Sequence, residues 1–205
     1  AKTRFIPVEG LPFSPLHPEA VLNCVEQASG RRLLNVCRPH SSYINRVYEV
    51  QDEGGEFFIV KFFRPGRWSE AALLEELQFV SECAELEIPV IRPLALADGS
   101  FLGEYKSIRF VLYPRCGGRL VDEYNDEQWL ELGRLLGRVH TVGAARTAAG
   151  RNRLHPEQTT RMQVDFIIEK NLIPETQISS FRTVTDELIA EISPDFEGLV
   201  PEKKG

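Results

Sequence analysis

The apolar positions along the chain change their period several times, and the changes divide it into elements. Pro18 opens a stretch with Val21, Val25 and Ala28 at helical spacing, and Gly30 supplies a stop, so a first helix is expected as an N-terminal brace. Three strand-like runs follow: Leu33 to Cys37, Arg46 to Val50 and Glu56 to Phe63. Gly54-Gly55 provides the positive φ angles of a tight hairpin. Beyond Pro65 the period lengthens again. Ser69 can cap a helix whose Leu73, Leu77, Val80 and Ala84 form a stripe, and Pro89 keeps it from running on. Strand character returns in Val90 to Ala97, turns at Asp98-Gly99, and resumes in Phe101 to Tyr105 and Ile108 to Tyr113.

Past Gly117-Gly118 the pattern is helical, over Asp126 to Thr141, Glu157 to Lys170 and Glu175 to Ile192. A β-rich part with one inserted helix, followed by a helical part, is an α+β layout of two lobes, 1–116 and 117–205. The first is expected to hold an antiparallel sheet of five or six strands.

Composition narrows the function classes. With 42% hydrophobic and 26% charged residues the chain suits a globular fold, and its net charge of −6 argues against a protein that grips phosphate backbones by bulk electrostatics. Nucleic acid is therefore not expected as a partner. No apolar run approaches the ~20 residues of a membrane helix, and no signal-peptide order appears at the N-terminus, so a cytoplasmic protein is expected. Cys24, Cys37, Cys83 and Cys116 lie far apart, as do His17, His40, His140 and His155. Free thiols are the expectation, and no metal or His-based nucleophile site announces itself locally.

Lys61 is the most informative residue. It interrupts Phe57-Phe58-Ile59-Val60-Lys61-Phe62-Phe63, where both strand faces read as buried, and a buried ammonium needs a counter-charge. The alternative is a lysine whose stem packs on the sheet while its amine reaches water. The following helix offers Glu75 and Glu76, and a strand Lys paired to a helix Glu is how kinase folds position lysine on nucleotide phosphates. Glu76 is preferred, because Phe79, Val80 and Cys83 put it beside the buried stripe. Glu75 has polar Gln78 and Glu82 at three and seven residues onward and reads as a surface charge.

The turn Pro39-His40-Ser41-Ser42-Tyr43-Ile44-Asn45-Arg46 lies where a kinase lobe covers phosphates. It is not glycine-rich, and the chain has no Walker motif. Ser41, Ser42, Asn45, backbone amides or Arg46 are the candidate contacts; the alternative is a plain hairpin turn with Arg46 in solvent. Ile59 joins the candidate nucleotide contacts. The strand Arg109 to Tyr113 runs into Pro114-Arg115-Cys116-Gly117-Gly118 at the position of a kinase hinge. Adenine recognition there needs a carbonyl and an amide two residues on. Pro114 lacks an amide, which suits it to the skipped place between a Tyr113 carbonyl and an Arg115 amide. A strand end with a flexible connection remains the simpler reading.

Five segments together carry a resemblance: Ser42-Tyr43-x-Asn45-Arg46-Val47-Tyr48, Val60-Lys61-Phe62-x-Arg64-Pro65-x-Arg67-Trp68, Leu74-Glu75-Glu76-x-Gln78-Phe79, Pro114-x-x-Gly117-Gly118-Arg119, and Leu132-Gly133-Arg134-x-Leu136-Gly137-Arg138-x-His140. In this order they resemble the bacterial stress response kinases, Ser/Thr protein kinases similar in fold to aminoglycoside phosphotransferases and choline kinases. The resemblance runs from about residue 14 to 192. It implies a protein-kinase-like N-lobe and the start of a helical C-lobe. It further implies ATP and Mg²⁺ as cofactors, a cytoplasmic monomer, a protein acceptor of unknown identity, and a role in surviving envelope or oxidative stress. A small-molecule phosphotransferase and a non-catalytic nucleotide-binding module are the alternatives.

The family's His-Gly-Asp-x-x-x-x-Asn catalytic loop has no counterpart in the sequence. It is expected just after Phe196, where the chain reads Glu197-Gly198-Leu199-Val200-Pro201-Glu202-Lys203-Lys204-Gly205. The catalytic Asp, and the metal ligands that go with it, are therefore expected beyond Gly205. No catalytic residue and no metal ligand is assigned within the 205 residues, which alone are expected to be inactive.

Overall fold

The computed structural model describes residues 12–118 and 123–197. Residues 198–205 lie outside the described ones, including Gly205, beyond which the sequence reading expects the catalytic Asp; so does Arg119 of the fourth resembling segment. Contacts divide the chain into two units, 1–150 and 151–205. The break lies well beyond the 116/117 junction, because the helix that follows the sheet packs back onto the first unit.

In that unit, α1 (Pro18–Ser29) begins at His17, whose Nδ1 accepts the Ala20 N–H at 3.2 Å, and ends at Gly30 with φ 69°. Only glycine takes that left-handed conformation at little cost, so the helix stops where the pattern placed the stop. Strands β1 (Leu33–His40), β2 (Arg46–Asp52), β3 (Phe57–Phe62), β4 (Gly103–Tyr105) and β5 (Ile108–Pro114) form one antiparallel sheet in the order β1-β2-β3-β5-β4. Between β3 and β4 runs α2 (Glu70–Glu85), capped by the Ser69 side chain on the Ala72 N–H at 3.2 Å. The β2–β3 hairpin turns at Gly55, φ 89°, tied by the Asp52 carboxylate to the Glu56 N–H at 2.9 Å.

One expected strand is absent. Val90 to Ala97 makes a single bridge, the Leu94 N–H to the Leu112 carbonyl at 2.8 Å, and otherwise runs as irregular chain. Pro93 has no N–H for a ladder, and the segment's apolar side chains are spent on different clusters: Val90 beside α2, Leu94 and Leu96 beneath α1. The sheet therefore has five strands, not six.

Cross-strand pairing fixes which side chains share a face, since residues directly opposite each other point the same way. Val50, Phe58, Val60, Phe62, Phe110 and Leu112 pack under Val21, Cys24 and Val25 of α1, and all are buried. The other face carries Val47, Glu49, Ile59, Lys61, Val111 and Tyr113. There α2 lays Leu73 and Leu77 against Phe63 and Val111.

Helix α3 (Asp126–Ala144) opens with a capping box between Asn125 and Gln128. Its Val142 packs with Cys83 and Ile88, and the Arg138 guanidinium donates to the Leu86 carbonyl at 2.6 Å, closing the C-terminal end of α2. The second unit contains α4 (Pro156–Glu169) and α5 (Glu175–Glu197). They are joined by a turn at Asn171, φ 53°, with Val164 and Ile189 buried and Arg161 paired to Glu157 and Asp186. Those two carboxylates push the Arg161 pKa up, and Arg161 in turn pulls the Glu157 carboxyl down.

Candidate nucleotide site

The face turned to α2 is the only sheet face among the described residues that carries a row of charges. Its middle is Lys61, whose Nζ stands 3.4 Å from Glu76 Oε1 and 4.5 Å from the Phe63 ring centroid. Each partner keeps 28% of its side-chain surface, so the pair is half sheltered and open on one side. Glu76 is thus the helix carboxylate that meets the strand lysine. Glu75 is not a free surface charge: both its oxygens lie 3.0 Å from the Gly150 N–H. The turn after α3 is thereby tied to α2, one residue from Glu76.

The register lays out the rest. Lys61 lies opposite Val47 on one side and Val111 on the other, and Ile59 opposite Glu49 and Tyr113. Ile59, Val47 and Val111 form an apolar floor beside the ammonium. Tyr113 is half-buried next to Glu76; burial pushes its phenol up to about 12, with the Glu76 carboxylate adding to the shift, so it stays neutral at working pH.

The connection between β1 and β2 is braced by Asn45, whose Oδ1 accepts the Arg64 N–H at 3.2 Å. Asn45 thus fixes the turn to the segment after β3. Ser41 is exposed and Ser42 half-buried in that turn. Arg46 is not brought to Lys61. It pairs with Phe62 at the other face, its guanidinium 5.1 Å from the Phe13 ring, because β2 alternates and Val47 takes the place beside Lys61.

At the exit of β5 the ladder turns the expected backbone pair toward the sheet. The Arg115 N–H donates to the Phe57 carbonyl at 3.1 Å, and Tyr113 lies in register with Ile59, so the backbone groups of both face β3. By the alternation of the ladder the Pro114 carbonyl is turned the other way, and the amide two residues on belongs to Cys116, just past the strand end. The sequence showed the spacing; the parity depends on the ladder.

A second charged cluster lies on this face; sequence reasoning passed over Glu49 and Arg38 and named Arg115 only for its amide. Glu49 is buried at 4% exposure. Arg38 reaches its Oε1 at 3.2 Å, Arg115 reaches its Oε2 at 2.7 Å, and His40 Nε2 stands 3.9 Å from Oε2. The available signal was Glu49 itself, an acid within Val47-Tyr48-Glu49-Val50, although alternation lets such a residue pass as solvent-facing.

With this geometry in place, the comparisons with known proteins are decisive. Residues 36–174 match the phosphotransferase enzyme family. The chain belongs to that family. It is 35% identical over 188 residues to stress response kinase A of Escherichia coli strain K12. It is 34% identical over 181 residues to the serine/threonine protein kinase RdoA of Salmonella typhimurium strain LT2. Each match covers 88% of this chain and 55% of the relative, so the chain spans about half the length of the curated relatives it matches. An amicoumacin kinase solved with AMP-PNP, Ca²⁺ and Ami superposes with a TM-score of 0.69 at 20% identity, over 87% of this chain and 54% of that one. Spectinomycin phosphotransferase APH(9)-Ia, with ADP and spectinomycin, gives 0.57 at 13% identity, over 89% and 56%. These two likenesses establish the fold, a protein-kinase-like lobe followed by helices.

A nucleoside triphosphate fits the residues present: a lysine held by a carboxylate, an apolar floor beside it, and the Pro114 carbonyl turned away from β3 at the strand exit. Among the described residues no three His, Cys, Asp or Glu side chains group as a metal site. The catalytic Asp expected beyond Gly205 has no position among the described residues. No described helix is long and apolar enough to cross a membrane.

Proposed function

We propose that the α2-facing side of the sheet holds ATP in a kinase that transfers the γ-phosphoryl group to a protein Ser/Thr hydroxyl. The observation that carries the reading is the 3.4 Å pair between Lys61 and Glu76 across strand and helix. Glu76 holds the ammonium at the level of Val47 and Val111, where phosphates can accept from it. Ile59 and Val47 form the floor under the base, and Pro114 carbonyl and Cys116 amide replace Tyr113 and Arg115 as the pair that meets its edge. The backbone and hydroxyls of Ser41 and Ser42 lie in the turn nearest the phosphate end. Residues 1–116 then act as the nucleotide lobe and 117–205 begin the acceptor lobe.

The choice of a protein acceptor is supported by the relatives' names, stress response kinase A and serine/threonine protein kinase RdoA. The solved neighbours favour a second reading, a small-molecule phosphotransferase, since their titles name amicoumacin kinase and spectinomycin phosphotransferase. We place the protein in the cytoplasm, where ATP is plentiful, as a monomer. The loop His-Gly-Asp-x-x-x-x-Asn does not occur in the 205 residues, so their share of the work is to hold the nucleotide, and transfer by them alone is expected to be nil.

The test is titration of ATP into wild type and Lys61→Met. Binding by the isolated chain is expected near millimolar, and loss of a charge-assisted contact of about 1.5–3 kcal/mol should weaken it by about ten- to one-hundred-fold. Equal affinities would reduce Lys61 to a strand residue with its amine in water. The acceptor class is decided by radiolabelled transfer in the full-length gene product, offered protein hydroxyls and amino-alcohol antibiotics side by side.

A further inference from the structure

The second charged cluster of the same face stands apart from Lys61 and has a composition that structure alone does not require. One buried carboxylate, Glu49, gathers a guanidinium and an imidazole from β1 and a second guanidinium from the residue just past β5. A single arginine would suffice to neutralise it. The surplus is positive and exposed: Arg38 keeps 66% of its side-chain surface and Arg115 keeps 56%, against 5% for Glu49.

Arg115 has the more unusual path. Its backbone is bonded to Phe57 on β3, yet its Nε reaches Glu49 on β2, so the side chain lies across the face of β3. On the way its guanidinium passes 5.4 Å from the centroid of the Phe57 ring. Glu49 is the direct neighbour of Ile59, and Ile59 is two residues from Lys61 on the same face. Phe57 is four residues from Lys61, about 13 Å at the usual rise of a strand. The cleft face is therefore ordered as ammonium, apolar floor, guanidinium, over a span that an extended nucleoside triphosphate can bridge.

We propose that Arg115, held across β3 by Glu49, is a base-recognition residue that lays its guanidinium against the purine ring of the bound nucleotide, with Glu49 as its positioning residue. The inference rests on the nucleotide reading of this face and adds a determinant of base affinity at the end opposite to Lys61. Arginine suits the place: its planar, weakly hydrated cation stacks on aromatic faces, and bonding through Nε leaves the plane of the group free. Glu49 contributes by direction more than by charge. Buried and fixed by Arg38 from β1, it selects one rotamer of a long side chain that would otherwise wander in solvent.

The experiment separates base from phosphate. ATP and inorganic tripolyphosphate are titrated, by NMR or calorimetry, into the full 205-residue chain and into Arg115→Met, Glu49→Gln and the double variant. Loss of a cation–π contact should weaken ATP by roughly three- to thirty-fold in Arg115→Met, while tripolyphosphate affinity stays within about two-fold. Glu49→Gln should show the same selective loss, and should add nothing in the Arg115→Met background, which a merely structural role would not produce. If Glu49→Gln does not fold, Arg115→Met alone decides between the outcomes. Equal losses for both ligands, or none for ATP, would overturn the inference. Lys61→Met serves as the control that keeps the two readings apart. If Lys61→Met weakens both ligands while Arg115→Met leaves their ratio unchanged, the nucleotide site stands and the base contact falls. If wild type binds neither ligand, both fall together.

Discussion

Lys61 and Phe62 are neighbours in sequence and opposites in fate. Phe62 points into the α1 face, fully buried against Phe110 and Tyr48, with ring centroids 5.2 and 6.0 Å away. Lys61 points into the α2 face, where it is half covered and paired with a carboxylate. The α1 face is closed by aliphatic and aromatic contacts, while the α2 face holds a line of charges on an apolar floor. A two-layer arrangement needs only one such closed core to stand, and the other face is then free to carry polar groups that packing would not choose. The closed face thus carries stability, and the open face carries charge.

The sharpest way to break that division is to truncate both neighbours. Phe62→Ala should cost about 3–5 kcal/mol in urea denaturation, since a fully buried ring leaves a cavity that its neighbours cannot fill. Lys61→Met should change stability by less than about 1 kcal/mol, because a half-exposed ion pair contributes little and the new side chain fits the apolar floor, although Glu76 loses a counter-charge. Similar costs for the two would mean that the α2 face is as much core as the α1 face.

A smaller effect is expected where the open face is tied down. A Cβ added at Gly150 would stand 2.9 Å from the Ala72 nitrogen and 3.0 Å from Glu75 Oε2. Gly150→Ala should therefore push the turn off α2, costing about 1–3 kcal/mol of stability in thermal denaturation. It should also loosen the stretch that carries Glu76, and so lower ATP affinity along with stability. Glu75→Gln should cost less than Gly150→Ala, since an amide oxygen still accepts the Gly150 N–H. A Gly150→Ala variant as stable as wild type would mean that the turn is not seated on the helix.

How much of this was legible in the sequence follows the same division. The α1 face was legible because buried strand and helix positions repeat with their own periods. Lys61 was legible because a charge inside an apolar strand violates the pattern, and Glu76 because helical spacing set it beside the stripe. Glu49 was not, because an acid on an alternating strand is what a solvent-facing position looks like, and its partners Arg38 and Arg115 are brought to it only by pairing in three dimensions. The parity at the β5 exit was hidden for a related reason: whether Tyr113 or Pro114 turns its carbonyl to β3 depends on the register, and a slip of one residue reverses it. Val90 to Ala97 read as a strand from composition, but Pro93 and a single bridge leave it irregular.

The smallest expected effect tests the assignment of faces at a residue where sequence and structure part. Arg46 sits in the turn motif as a candidate phosphate contact, yet its side chain lies on the α1 side, 5.1 Å from the Phe13 ring, with Nη1 3.4 Å from the Asn45 carbonyl. It is exposed, so its removal forfeits an exposed cation–π contact of about 0.5–1 kcal/mol at most. Arg46→Ala should accordingly leave ATP affinity within about two-fold of wild type and stability within about 1 kcal/mol, whereas Lys61→Met, one position from the residue paired with Arg46, should lose most of the affinity. Calorimetric titration of both variants with ATP reads the difference directly. If Arg46→Ala loses as much affinity as Lys61→Met, the β1–β2 turn must rearrange to bring the guanidinium over the phosphates, and the alternation of faces along β2 would not describe the nucleotide-bound protein.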